Sequence, residues 1–93
     1  MKNLEFKESL DKAVFTTKYV VVENSPIVYV SHDEEGDWQV FSSEEDIEIE
    51  DSMVVSLGEI LEIDQSVEKI LNLPINSNAT RKSIISEWIV SKH

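Results

Sequence analysis

Ile27-Val28-Tyr29-Val30-Ser31-His32-Asp33-Glu34-Glu35-Gly36-Asp37-Trp38-Gln39-Val40-Phe41 holds two β-rich runs around a turn that contains one of the chain's two glycines. β-Branched and aromatic residues suit a pleated, half-buried surface, and Asp33 suits the first position of a type I turn. Gly36 can take the left-handed conformation that closes a three-residue loop with a bulge. This turn sets a register: Asp33 opposite Asp37, His32 opposite Trp38 and Val30 opposite Val40, with Tyr29, Phe41 and Ile27 on the other face. Both faces are then apolar. Such a hairpin belongs inside a layered structure or presents one face to a partner, because an isolated hairpin is marginal in water.

Upstream, Val14-Phe15-Thr16-Thr17 and Tyr19-Val20-Val21-Val22 predict one strand, interrupted near Lys18, followed by a turn at Glu23-Asn24-Ser25-Pro26. Residues 1–12 mix Leu4, Phe6 and Leu10 with charges in no clean period, which fits an N-terminal arm or a short helix. Downstream, Glu44 to Asp51 carries six carboxylates, with Ile47 and Ile49 two apart, as in an acidic loop or a charged edge strand. Met53-Val54-Val55 predicts a short buried strand. Ser56 and Glu59 have the spacing of a capping box at the start of a helix. Leu57, Ile60, Leu61, Ile63, Val67, Ile70 and Leu71 fall largely on one face of that helix, from about residue 56 to 72. Asp64 is placed to interrupt it and cap a second segment beginning at Gln65, and Pro74 disfavours helix at Leu73. Asn76-Ser77-Asn78 predicts a loop, 79–82 an extended stretch, and Ile84 to Ile89 a docked C-terminal segment. The expected fold is α+β, one domain over 1–93. Its small, mainly antiparallel sheet is built on the hairpin 27–41 and covered on one side by the helix at 56–72.

A chain of 93 residues buries a single core, and an apolar share of 41% is enough to pack one. The formal charge of −11 repels phosphate backbones, so neither nucleic acid nor an anionic membrane is an expected partner. The absence of cysteine removes disulfides, thiolate metal sites and cysteine nucleophiles. With no apolar run near the ~18 residues of a membrane span and no signal-like start, a cytoplasmic protein is expected.

Candidate chemistry gathers at the hairpin. Catalysis of the Ser/His/Asp kind needs an imidazole, which leaves His32 or the terminal His93, and no serine sits in a nucleophile elbow. Asp33, Glu34, Glu35 and Asp37 crowd hard oxygen ligands around the turn. The spacing departs from a calcium loop, with Trp38 where glycine is needed, so no metal and no cofactor are expected. Trp38 could be a stacking platform, but beside Val30 and Val40 it reads more simply as core.

The segments Phe15-Thr16-Thr17-Lys18, Ser25-Pro26-Ile27-Val28-Tyr29-Val30, His32 to Phe41 and Met53-Val54-Val55-Ser56-Leu57-Gly58-Glu59-Ile60 carry a resemblance. Together they resemble a group of small uncharacterised bacterial proteins with a His-Asp-x-x-Gly-Asp-Trp-Gln hairpin and a Val-Val-Ser-Leu helix start, over about Phe15 to Pro74. The hairpin and the acidic segment are more distantly similar to an α+β immunity-protein domain of bacterial polymorphic toxin systems, where a Gly-Trp strand precedes an acidic stretch. The chain departs from that domain in placing Asp37 between Gly36 and Trp38, and Ser42-Ser43 where glycine is common. The resemblance implies toxin binding and supplies no catalytic residues. The expected function is therefore a non-enzymatic acidic protein, monomer or homodimer, that binds a basic protein partner in the manner of an antitoxin. Glu44, Glu45, Asp46 and Glu48 would meet that partner beside the hairpin. The alternative is a small-molecule or metal-binding module, or a minor enzyme, centred on His32, Asp33, Asp37 and Trp38.

Overall fold

The hairpin forms in the register its turn demands. The computed structural model describes residues 10–92, in which β2 (Tyr29–His32) pairs antiparallel with β3 (Trp38–Phe41). Tyr29 lies opposite Phe41, Val30 opposite Val40 and His32 opposite Trp38. Gly36 has φ +88° and donates its N–H to the Asp33 carbonyl at 3.0 Å, while Asp33 N–H reaches the Asp37 carbonyl at 2.9 Å. A side chain at that φ would be strained, which is why glycine stands there.

Among the described residues six strands form one sheet in the order β4-β1-β3-β2-β5-β6, with β1 at Ala13–Thr17, β4 at Ser52–Ser56, β5 at Ser77–Thr80 and β6 at Ile89–Lys92. β1 runs parallel to β3, and every other pairing is antiparallel. The hairpin is thus central.

Alternation along the strands separates two faces. Val14, Val30, Trp38, Val40 and Ala79 are buried on one of them, beneath α2 (Leu57–Ile63) and a 3-10 segment at Gln65–Ile70. Leu57, Ile60, Val67, Ile70, Leu71 and Leu73 complete that core. The capping box is present at Ser56 and Glu59, whose backbone N–H meets Ser56 Oγ at 3.1 Å, and Ser56 N–H meets Glu59 Oε1 at 2.9 Å. Asp64 ends α2 and caps the next segment by accepting Ser66 N–H at 3.0 Å. The cover is therefore two short pieces rather than one continuous helix. The chain just before β1 anchors it, because Leu57 and Gly58 N–H bond the Lys12 and Leu10 carbonyls.

Several expectations are corrected. Tyr19-Val20-Val21 do not extend the first strand: Lys18–Val21 form a single helical turn, α1, which turns Val20 into the core. Burial of one valine outweighs the β preference of the run. Met53-Val54-Val55 is an edge rather than a buried strand: among the described residues no strand pairs beyond β4, and Val54 is 60% exposed. Ile27 lies ahead of β2, where alternation does not apply, and is buried in the core instead of joining Tyr29 and Phe41. β5 begins at Ser77, inside the expected loop, and the C-terminal residues Ile89–Lys92 form the other edge strand. The expected arm or helix at 1–12 lies largely outside the described residues. No described helix is long and apolar enough to cross a membrane.

Candidate functional site

His32 and Trp38 meet as cross-strand neighbours on the covered face. Their rings stack 4.0 Å apart at 9°, and the residues are 7% and 1% exposed. Only a donor can meet a carbonyl, so the 2.7 Å contact between His32 Nδ1 and the Leu73 carbonyl is an N–H donation that holds the ring edge against the cover. Both side chains are thus packed within the core.

Asp33 builds the turn. Its Oδ1 accepts the N–H groups of Glu35 and Asp37, each at 2.9 Å, and its Oδ2 accepts Gln39 Nε2 at 2.8 Å. The Gln39 bond first, then those backbone bonds, hold its carboxyl below the usual range. Asp37 supplies the carbonyl that closes the turn. Among the described residues no group of three or more histidine or acidic side chains is arranged to hold a metal ion.

The acidic segment lies elsewhere, along the other face of the sheet. It is a loop rather than a strand, ending in a 3-10 turn at Ile49–Asp51. Asp51 is buried, accepting Glu48 N–H at 2.9 Å, Tyr19 Oη at 3.1 Å and Lys18 Nζ at 3.3 Å. Those contacts, the Glu48 backbone bond foremost, keep its carboxyl ionised below the ordinary range. Glu44 accepts hydrogen bonds from Ser42 Oγ and, at 3.0 Å, Ser25 Oγ, and it too is held below its usual range, chiefly by Ser42. Glu45, Asp46 and Glu48 are exposed, and Asp46 turns the chain with φ +57°.

This anchoring brings Glu44 and Ile47 to a groove of about 520 Å³ that Thr17, Tyr29, Phe41, Ser42 and Ser52 also line. Tyr29 and Phe41 stack across the hairpin, centroids 6.0 Å apart. Two positions along β1 and β4 from Thr17 and Ser52, Phe15 and Val54 lie opposite each other and are 42% and 60% exposed. The structure thus brings Glu44 beside the outer face of the hairpin and leaves His32 and Trp38 beneath the inner one.

Arg81 is the residue that sequence reading missed. Its Nε bonds the Ile27 carbonyl at 2.9 Å, Nη1 bonds Ser66 Oγ at 2.8 Å, Nη2 pairs with Asp64, and its guanidinium stacks 4.1 Å from the Trp88 ring. Burial alone would raise the Asp64 carboxyl, but the bonds from Ser66 and Arg81 outweigh it and leave the group depressed. The available signal was composition: Arg81 is the only arginine among eight basic residues, and a planar fork suits a buried multidentate clamp better than lysine. A concavity of about 570 Å³ lies beside it, lined in part by Lys69, Ile84 and Trp88. The guanidinium there is already fully engaged within the fold. No family model, curated protein or solved structure matches this chain.

Proposed function

We propose that this protein acts without catalysis, as an immunity-like binding protein that docks a basic protein on the uncovered face of its sheet. The observation that carries this reading is that Glu44 and Ile47 of the acidic segment line the same groove as Tyr29 and Phe41 of the hairpin. An apolar strip beside a carboxylate-rich loop suits a partner with apolar anchors and a basic rim. Buried anchors hold such a complex, whereas rim charges govern encounter and selectivity. The overall charge of −11 adds long-range attraction for a cationic partner.

The test is association kinetics with purified basic proteins encoded beside this protein's gene, at low and high salt. Replacing Glu44, Glu45, Asp46 and Glu48 by their amides should slow association, flatten its salt dependence and leave dissociation less affected. Unchanged association would contradict the proposal. So would stoichiometric binding of a metabolite or metal near His32 with no protein partner.

A further inference from the structure

We propose that the groove between Tyr29, Phe41 and Glu44 receives a single arginine side chain of the basic protein partner. The assignment rests on the docking role proposed for the open face and names what that face recognises. One wall is aromatic: the Tyr29 and Phe41 rings lie 24° from parallel and offer a broad π surface on which a guanidinium can lie flat. The groove also holds a fixed anion. Ser42 and Ser25 orient Glu44 before any ligand arrives, each bonding a different carboxylate oxygen. Each oxygen keeps acceptor capacity for a further donor, which a two-pronged guanidinium can use. Lys18, which follows Thr17, is paired with Asp51 and does not neutralise Glu44.

Thr17 belongs to the groove wall and adds little accessible surface to it. It is 1% exposed, and its hydroxyl has no hydrogen-bond partner. Lysine offers a compact, strongly hydrated charge with no plane to stack, so the aromatic wall favours arginine. Continuity with exposed Phe15 and Val54 on the same face argues for a side chain delivered by a protein surface rather than for a free metabolite.

The probe is N-acetyl-arginine N-methylamide, titrated into the ¹⁵N-labelled protein while amide shifts are followed. Saturable shifts should concentrate at Thr17, Tyr29, Phe41, Glu44 and Ser52. Glu44→Gln should weaken binding about tenfold, as loss of a charge-assisted bond does. Tyr29→Leu should weaken it severalfold with amide dispersion intact, and the capped citrulline analogue should not bind. Absence of saturable shifts, or equal binding of the citrulline analogue, overturns the assignment. Tighter binding of free arginine than of the capped form makes the groove a metabolite site and also overturns it. If a basic partner binds with the salt dependence expected of the docking face while Glu44→Gln and Tyr29→Leu leave its affinity unchanged, the arginine site falls and the docking face stands.

Discussion

The two faces of the sheet are built from the same strands and similar residue types, yet they have different environments. Val14 is fully buried and its neighbour Phe15 is 42% exposed; Val40 is 1% exposed while Phe41 is only half-buried. On the inner face, α2 and the 3-10 segment at Gln65–Ile70 supply the apolar cover. On the outer face, Glu44 and Ile47 of the acidic loop lie beside Tyr29 and Phe41, while Phe15 and Val54 are exposed. Isolated exposed hydrophobes need no explanation, but a strip along one sheet face with a groove at its end does. The contrast separates what the fold buries from what it leaves at the surface.

The inner face should fail first under mutation. Trp38→Ala removes a large side chain from the centre of the core and should cost about 3–5 kcal/mol, read by chemical denaturation. A cost near that of a surface change would show that the hairpin does not anchor the fold. Asp64→Ala should follow at about 3 kcal/mol, because it leaves the Arg81 guanidinium buried without its counter-charge and loosens the cover. Acid should weaken the same clamp more gradually. Asp64, Asp51, Glu44 and Asp33 all have depressed folded values. Their contribution is present above the unfolded carboxylate range of about 4 and is lost as pH falls through the lower folded values. Thermal melts should hold from neutral pH to about pH 5 and drop below about pH 4.

Smaller effects sharpen the contrast. Ser56→Ala should cost about 1 kcal/mol by removing the cap that starts α2. Gly36→Ala should cost a similar ~1 kcal/mol. An added Cβ there meets no atom within 4 Å, so only the left-handed backbone resists it. Phe15→Ala, on the outer face, should cost less than about 1 kcal/mol.

Elements specified by local chemistry were the legible ones. The Asp33–Gly36 turn fixed the register of β2 and β3, and the Ser56–Glu59 box with Asp64 fixed both ends of α2. Elements decided by distant contacts were not legible. Lys18–Val21 follows β propensity in sequence but turns helical where Val20 reaches the core. β6 is only four residues long, two of them β-branched, and its strand state is completed by antiparallel pairing with β5. The candidate site divides in the same way. That the hairpin has two apolar faces could be read from alternation, and the acidic segment from composition. That Glu44 bends back to Ser25 and Ser42 and reaches Tyr29 and Phe41, while the clamp at Arg81 spans from Ile27 to Asp64, depends on tertiary contacts that no local pattern encodes.

The separation of the two faces is tested most directly by measuring thermal stability and partner affinity together on one double variant, Phe15→Ala with Val54→Ala. Both side chains are exposed and lie opposite each other across β1 and β4. A melting temperature within a few degrees of wild type, together with a loss of affinity for the proposed basic partner of about tenfold or more, is the predicted result. A large fall in melting temperature with affinity unchanged would mean that the outer face serves the fold, and would contradict its assignment as the docking surface.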